Sequence, residues 1–254
     1  MPVETTAADA DREDHAQHKS PTLDQSREVM ASLVTEFAGE GDILEVGCRR
    51  GDIGARIRQR LPGARIALAD AYQGTLRAAA ARVGTDTTTF LLDANRFDID
   101  DAVHGTYDCI LLWHLLEHVR DPVGAIQALC RKLKPTGVLI LAVPNLSRPE
   151  VLVANIFRRD TSDRGHLWGW DPSHFRSFLT RILGLDLVRL TTDSVGLLPG
   201  PPGRAIARLV GRRLASVLPW WGFSTIAIVR PGEAFPADEA AFAKAARLTW
   251  RAAD

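Results

Sequence analysis

The chain of 254 residues is 46% hydrophobic, and its 31 Lys and Arg residues balance 31 Asp and Glu residues. This length and composition fit one domain built around a single large core. Because the net charge is zero, the chain has no overall field to hold a polyanion, so we do not expect nucleic acid as an obligate partner.

The N-terminal segment, 1–21, is acidic and polar and contains no apolar run. It therefore lacks the pattern of a signal peptide or a membrane span, and we predict a disordered tail on a cytoplasmic protein. The three cysteines, Cys48, Cys109 and Cys130, are odd in number and have no metal-binding spacing. We expect reduced thiols in the core, and we predict no metal site.

From residue 22 the pattern alternates between helix and strand. A helix is predicted over 23–37, followed by strands over 42–46, 65–69, 88–92, 107–113 and 137–143, with helices over 52–61, 74–83 and 122–132 between them. A helix over 172–183 and strands over 185–191 and 224–229 follow. This alternation predicts an α/β protein with a parallel, doubly wound sheet. The predicted domain spans 22–232, with an insertion at 193–222 and a tail at 233–254 that contains a helix over 237–251.

A glycine-rich turn follows the first predicted strand, where residues 43–54 read ILEVGCRRGDIG. A turn of this kind between a strand and a helix lets a ligand lie against bare backbone, beside the unpaired amides of the helix N-terminus. Gly47, Gly51 and Gly54 stand four and three residues apart, whereas a dinucleotide fingerprint has glycines at its first, third and sixth positions. The spacing therefore disfavours NAD and indicates another small polar cofactor.

Further landmarks follow this turn in the order and spacing of one family. They are Glu45-Val46-Gly47-Cys48, Asp70 after the second strand, Leu92-Asp93-Ala94, residues 107–112 running into Leu116-Glu117-His118-Val119, Leu133-Lys134-Pro135-Thr136-Gly137, and Val143-Pro144-Asn145. With these motifs the chain resembles class I S-adenosylmethionine-dependent methyltransferases, of the small-molecule subgroup that includes the ubiquinone-biosynthesis O-methyltransferases. The resemblance implies a Rossmann-like, seven-stranded sheet, mostly parallel with an antiparallel C-terminal hairpin, and S-adenosyl-L-methionine as cofactor.

The resemblance also implies which residues meet the cofactor. Glu45 would help hold its amino acid end, Asp70 would accept from both ribose hydroxyls, and Asp93 with Ala94 would meet the adenine edge. The full predicted set is Glu45, Gly47, Cys48, Arg49, Gly51, Asp70, Ala71, Asp93, Ala94 and Trp113. An alternative for Glu45 is that the helix dipole favours an acid at this place without any ligand.

Arg49 departs from the family pattern, because relatives usually have a second glycine at this position. Its side chain could crowd the methionyl end of the cofactor, swing out without effect, or pair with a carboxylate. A crowded loop costs about one to several kcal/mol, enough to weaken binding tenfold or more. This departure motivates the alternative of an inactive cofactor-binding or regulatory protein.

The acceptor side is predicted from the end of the fourth strand and from the loop at 166–176. His114 follows that strand at the topological switch point, where open α/β sheets bind ligands. Methylation of a hydroxyl requires removal of a proton, and the candidate bases are His114, His166 and His174. The predicted acceptor-binding residues are His118, Trp168, Trp170 and Arg176. The alternatives are that His114 is a core residue, and that in the loop Asp171 caps a helix, His174 and Arg176 make structural hydrogen bonds and the tryptophans cover the sheet edge.

The insertion carries Arg204, Arg208 and Arg212 at helical spacing opposite an apolar face, followed by Trp220 and Trp221. This pattern predicts a basic amphipathic helix that is a lid on its own domain or makes a weak contact with an anionic membrane surface. A dimer contact also remains open, and the sequence does not predict the oligomeric state.

The predicted function is methyl transfer from S-adenosylmethionine to a small-molecule acceptor, at a hydroxyl oxygen. Methylation of nucleobases is disfavoured, because Trp113-His114-Leu115-Leu116 stands where such enzymes carry Asn or Asp, Pro-Pro and an aromatic residue. One alternative is an inactive cofactor-binding or regulatory protein. Another is a tRNA or protein methyltransferase, because Arg residues outnumber acids twelve to six between 146 and 230.

Overall fold

The computed structural model describes residues 21–93, 99–157, 165–195, 213–214 and 217–233. Its helices are α1 (Pro21–Ala38), α2 (Asp52–Arg60), α3 (Gln73–Val83), α4 (Ile99–Ala102), α5 (Pro122–Arg131), α6 (Pro149–Ile156) and α7 (Pro172–Ser177), with 3₁₀ turns at Leu116–His118 and Pro219–Trp221. Its strands are β1 (Asp42–Val46), β2 (Arg65–Asp70), β3 (Thr88–Leu91), β4 (Tyr107–Trp113), β5 (Leu133–Pro144), β6 (Leu185–Thr192) and β7 (Ser224–Pro231).

The strands form one sheet in the order β3-β2-β1-β4-β5-β7-β6. β1 to β5 pair in parallel, whereas β7 runs antiparallel to both β5 and β6. The predicted doubly wound sheet with an antiparallel C-terminal hairpin is therefore confirmed. The strand order reverses between β1 and β4, so the crevice outside the carboxyl ends of these two strands is the expected ligand site.

Both faces of the sheet are covered by helices, which explains why the central strands are apolar throughout. Neighbouring residues of β1 and β4 alternate between the two cores. The face packed by α5 and α7 includes Leu44, Ile110 and Leu112, and the face packed by α1, α2 and α3 includes Ile43, Cys109 and Leu111. None of these six is more than 1% exposed. All three cysteines are buried and free, as predicted.

Two of the predicted elements differ from their predicted bounds by more than two residues. β5 begins at Leu133 instead of 137, because an irregularity opposite Tyr107 to Cys109 lets the preceding residues pair with β4. The helix predicted over 172–183 is α-helical only through Ser177 and continues as a π-helical turn, Phe178–Ile182. No helix in the described part of the chain is both long and apolar enough to cross a membrane.

Several predictions fall outside the described residues. They concern the tail over 1–20, Ala94, the arginines of the insertion at 204, 208 and 212, and the helix over 237–251. The two ends of the insertion are described and lie side by side. Val195 pairs with Gly222 in an isolated bridge, and the Asn145 side-chain amide donates to the Trp220 and Gly222 carbonyls at 2.8 and 2.9 Å.

Candidate active site

The turn between β1 and α2 has the backbone conformation that its glycines predict. Gly47, Arg49 and Gly51 all have positive φ, at 74°, 48° and 71°. The amides of Gly47 and Cys48 both donate to the Ala69 carbonyl, at 2.8 and 3.2 Å, which pins the turn to the end of β2. A Cβ at Gly51 would lie 3.1 Å from the backbone of Ala79. Glycine is therefore required here by both the left-handed conformation and the contact with α3.

Glu45 lies beneath this turn and is only 4% exposed. Its Oε2 accepts a hydrogen bond from the Gly54 amide at 2.9 Å, and a Cβ at Gly54 would come equally close to that oxygen. Burial raises the pKa of Glu45 to about 8. At neutral pH the side chain therefore holds its proton, and its observed contact is with the first turn of α2.

Asp70 ends β2 and is 8% exposed. Its Oδ2 accepts from the Arg49 amide at 2.8 Å and its Oδ1 from the Tyr72 amide at 3.1 Å. Burial raises the pKa of Asp70, and these backbone hydrogen bonds oppose the rise. A carboxylate has about four lone-pair positions, so Asp70 keeps acceptor capacity for a ligand hydroxyl beyond these amides.

These features fit an adenosyl cofactor. The glycine turn offers bare backbone, Asp70 offers a buried acceptor for a diol, and the exposed Asp93 stands two residues after the end of β3. Ala71, also exposed, follows Asp70 at the same edge of the sheet. Ala94 lies outside the described residues.

Two side chains of the predicted cofactor set point into the core instead. The Cys48 thiol is 3% exposed, and burial raises its pKa. The Trp113 indole is 9% exposed, donates to Ser26 Oγ at 2.9 Å and packs under the Arg27 guanidinium at 5.0 Å. At both positions the backbone is therefore what faces the carboxyl edge of the sheet.

His114, directly after β4, also has a left-handed backbone, with φ of 50°. Its ring stacks on Phe223, with centroids 5.5 Å apart and planes 9° from parallel, and its Nε2 lies 2.8 Å from Ser224 Oγ. The side chain is 16% exposed. Burial lowers the pKa of His114 to about 3, so the ring is neutral at physiological pH.

A buried chain of hydrogen bonds determines which nitrogen of His114 carries the proton. Asp193, 2% exposed, accepts from Ser224 Oγ at 2.6 Å and from the amides of Ser194 and Ser224 at 2.7 and 2.9 Å. Burial raises the pKa of Asp193, and these hydrogen bonds oppose the rise. Because Ser224 gives its single hydroxyl proton to Asp193, its oxygen must accept from His114 Nε2–H. His114 Nδ1 is then the unprotonated nitrogen.

Glu117, three residues after His114, is the most buried acid near this strand end, at 1% exposure. Neither of its carboxylate oxygens accepts a hydrogen bond from another described residue. His114 Nδ1 and His166 Nε2 lie 3.8 and 4.0 Å from its Oε1. Burial raises the pKa of Glu117 to about 8, and the charge of Arg49 opposes the rise.

The backbone of Glu117 brings the later loop to this place. Its carbonyl accepts from the amides of Leu167 and Trp168 at 2.8 and 3.2 Å. The rings of His118 and His166 meet edge to face with centroids 4.7 Å apart. His114, Glu117, His118 and His166 therefore form one cluster, although His166 is distant in the sequence.

The structure does not bring His174 into this cluster. His174 is 81% exposed and hydrogen-bonds Asp171, which caps α7 by accepting from the amides of Ser173 and His174 at 2.8 and 3.1 Å. Arg176 is exposed on α7. These contacts agree with the alternative in which Asp171 caps a helix and His174 makes a structural hydrogen bond.

The two tryptophans of the loop differ from each other. Trp170 is 7% exposed and packs in the core against Phe175 and Phe178. Trp168 is 44% exposed, and its indole donates to the Val119 carbonyl at 2.8 Å. Of the pair, Trp168 is the ring with a surface to offer an acceptor.

The predicted site residues include neither Ser224 nor Asp193, and Glu117 enters the sequence argument only as part of the motif Leu116-Glu117-His118-Val119. One signal for Glu117 was present, because residues 114–118 read His-Leu-Leu-Glu-His, and His-x-x-Glu-His is a spacing used in zinc enzymes. For Asp193 and Ser224 no local signal exists. Asp193 stood at the start of the predicted insertion, and the contact with Ser224 depends on the pairing of β6 with β7.

Comparison with known proteins agrees with this geometry. The chain belongs to the family described as Methyltransferase domain, whose match covers residues 23–188. The resemblance to class I S-adenosylmethionine-dependent methyltransferases is thereby confirmed.

Two curated proteins are similar over part of their length. A ubiquinone biosynthesis O-methyltransferase of Rickettsia conorii is 24% identical over 180 residues, which are 70% of this chain and 56% of that protein. An uncharacterized 37.1 kDa protein of a Streptomyces fradiae transposon is 26% identical over 146 residues, or 54% of this chain and 41% of that protein. The chain thus spans about half the length of the curated relatives that it matches.

Solved structures of methyltransferases share the fold. A Haloferax volcanii putative methyltransferase in complex with the Trm112 activator has a TM-score of 0.64 at 16% identity, over 89% of this chain and 98% of that one. The plantazolicin methyltransferase bound to S-adenosylhomocysteine has 0.59 at 15% identity, over 89% and 91% of the two chains. The magnesium protoporphyrin IX methyltransferase of Synechocystis, also with bound S-adenosylhomocysteine, has 0.56 at 15%, over 91% and 90%.

Proposed function

We propose that this protein transfers a methyl group from S-adenosylmethionine to a hydroxyl oxygen of a small molecule. The observation that carries the proposal is the cluster of His114 and Glu117 at the carboxyl end of β4, beside the glycine turn. A hydroxyl must lose its proton when it is methylated, whereas an amine or a thiolate acceptor needs no such group. The named small-molecule methyltransferases among the similar proteins support the substrate class.

In this proposal the residues of the chain have two tasks. The Gly47–Gly51 turn and Asp70 hold the cofactor, whose sulfonium supplies an already activated methyl group. His114 Nδ1 would accept a hydrogen bond from the acceptor hydroxyl, and the proton would come to rest on Glu117, whose pKa of about 8 is the higher of the two. When bound, S-adenosylmethionine would supply a methyl group whose transfer to the acceptor oxygen breaks the carbon–sulfur bond and leaves the electron pair of that bond on sulfur. Alignment of the two reactants contributes up to about 7–11 kcal/mol in favourable systems, and proton removal about 10²–10⁴ in rate.

The geometry of Arg49 weakens the inactive-protein alternative. Arg49 adopts the left-handed conformation that glycine has in such turns, and its amide holds Asp70. The turn therefore keeps its shape around this side chain. No observation among the described residues favours a tRNA or protein acceptor.

The test is methyl transfer from labelled S-adenosylmethionine to a panel of small phenols and alcohols and to amines of the same skeletons. We expect turnover with hydroxylated members of the panel. His114→Gln should then lower the rate about 10²–10⁴-fold while S-adenosylhomocysteine binds as it does to the native protein. His104→Gln is the matched control, because His104 is an exposed histidine away from the cluster. Faster transfer to the amines, unaffected by His114→Gln, would contradict the proposal.

A further inference from the structure

We propose that Glu117, His118 and His166 form a binding site for a divalent transition-metal ion of the Zn²⁺ class. One carboxylate oxygen and one ring nitrogen from each histidine lie within 4.8 Å of one another. No metal site is predicted from the sequence, whereas the fold brings these three potential ligands together.

The three ligand atoms lie near one another. Zinc binds imidazole nitrogen and carboxylate oxygen at about 2.0–2.2 Å in a tetrahedral arrangement, so two ligands of one ion are about 3.4 Å apart. Glu117 Oε1 and His166 Nε2 are 4.0 Å apart, and all three atoms lie within 4.8 Å of one another. Side-chain rotations that move the atoms together by about one ångström would form the site.

Glu117 gives an independent reason to expect a cation. Its carboxylate is 1% exposed and accepts no hydrogen bond from another described residue. A buried polar group without a partner is costly, and buried carboxylates in proteins are paired or coordinate metals. A cation held between this oxygen and the two imidazoles would supply the missing partner.

The surroundings orient the histidines as ligands. His118 Nδ1 lies 3.1 Å from the Gly165 carbonyl, which can only accept, so Nδ1 carries the proton and the lone pair is on Nε2. A metal-binding histidine typically donates its other N–H to a carbonyl or carboxylate in this way. The Glu117 carbonyl accepts from Leu167 and Trp168 and so holds the loop that presents His166.

The donor set determines which ion fits. Two imidazoles and one carboxylate suit Zn²⁺ and neighbouring transition metals, whereas Mg²⁺ and Ca²⁺ prefer oxygen ligands. Three protein ligands leave a coordination position for another group. If the proposed function holds, an acceptor hydroxyl bound at that position would become more acidic, next to His114 Nδ1. Formation of the site itself does not depend on that function.

The test uses the full chain after removal of metals with a chelator. Calorimetric titration with Zn²⁺ should show one ion per chain, and bound Co²⁺ should show the visible absorption of nitrogen and oxygen ligands. Glu117→Gln and His166→Gln should each weaken Zn²⁺ binding at least about 100-fold, since each removes one of three ligands. His104→Gln should bind Zn²⁺ as the native protein does.

S-adenosylhomocysteine binding by each variant shows that the domain is folded. The proposal is overturned if the stripped native protein binds S-adenosylhomocysteine but no Zn²⁺, if either ligand variant binds Zn²⁺ as tightly as the native chain, or if Mg²⁺ binds more tightly than Zn²⁺. Because no acceptor is present, a failed methyl-transfer assay leaves this result unaffected.

Discussion

The two halves of the carboxyl edge of the sheet differ in whether backbone groups or side chains form the site. The half formed by β1, β2 and β3 consists mainly of backbone, with left-handed residues in the turn and amides that hold Asp70. The half at the ends of β4 and β7 consists of side chains, with three histidines clustered around Glu117 and with Asp193 linked to His114 through Ser224. A backbone-built half is encoded within a few consecutive residues, whereas the side-chain half requires the fold to be complete.

The largest expected effect on cofactor binding concerns Asp70, which connects the backbone half to the cofactor. Asp70→Ala should weaken S-adenosylhomocysteine binding about 100-fold, because each hydrogen bond to a charged group contributes about 1.5–3 kcal/mol. Asp70→Asn keeps one acceptor oxygen and should give an intermediate loss. Asp101→Ala, at an exposed acid, is the control for calorimetry. Native affinity in Asp70→Ala would separate Asp70 from the cofactor site.

In the side-chain half, Ser224→Ala removes the link between His114 and Asp193. It leaves the His114 Nε2–H without its acceptor, and we expect a loss of about 1–3 kcal/mol in the free energy of unfolding. Nitrogen NMR of the imidazole should show the proton moving from Nε2 towards Nδ1. Ser32→Ala, where the hydroxyl contacts only a carbonyl of its own helix, should be close to neutral. An unchanged tautomer would refute the proposed direction of the chain.

Glu45 provides a pH test of the backbone half. Burial raises its pKa from the ordinary 4.5 to about 8, so between these values the folded protein keeps a proton that the unfolded chain has lost. Its contribution to stability is therefore largest below pH 4.5, falls by about 1.4 kcal/mol per pH unit, and is constant again above pH 8.

Denaturant unfolding from pH 5 to 8 checks this expectation. Glu45→Gln should reduce the fall in the free energy of unfolding by about 1.4 kcal/mol per pH unit. Any dependence on pH that remains would come from other buried acids such as Glu117. Glu36→Gln is the control, because hydrogen bonding to Arg189 lowers the pKa of Glu36 and places its effect below this pH range. Equal slopes in Glu45→Gln and the native protein would show that Glu45 is ionised when folded.

The smallest effect is expected for Arg49→Gly. Glycine removes the strain of a left-handed residue, about 1 kcal/mol, but loosens the unfolded chain by about as much, so stability should change by less than about 1 kcal/mol. Arg50 does not have positive φ, so Arg50→Gly relieves no strain in the folded protein and only loosens the unfolded chain. Arg50→Gly should therefore destabilise the protein. Thermal unfolding of the pair decides the point, and equal losses in the two variants would contradict the conformational argument.

The comparison also explains what could be predicted from the sequence. The sheet and the turn were predictable, because periodicity, Gly47, Gly51 and Asp70 are local signals. The burial of Glu45 was not predictable, because no local pattern shows that Gly54 leaves room for the Glu45 carboxylate. His114, His166 and His174 were candidate bases in that order, and the contacts that separate His174 from the other two are those of the cap of α7. The contact of Glu117 with His166 was not predictable, because the position of the loop that carries His166 leaves no periodic pattern in the sequence.

The closed base of the insertion has a consequence for how this protein can be altered. Val195 meets Gly222, and Asn145, directly after β5, donates to the Trp220 and Gly222 carbonyls, so the two described ends are joined to each other and to the sheet. When the ends of a loop are fixed, doubling its length costs only about 0.6 kcal/mol in closure entropy. We therefore expect changes of length between Val195 and Trp220 to leave the register of the sheet beneath unchanged.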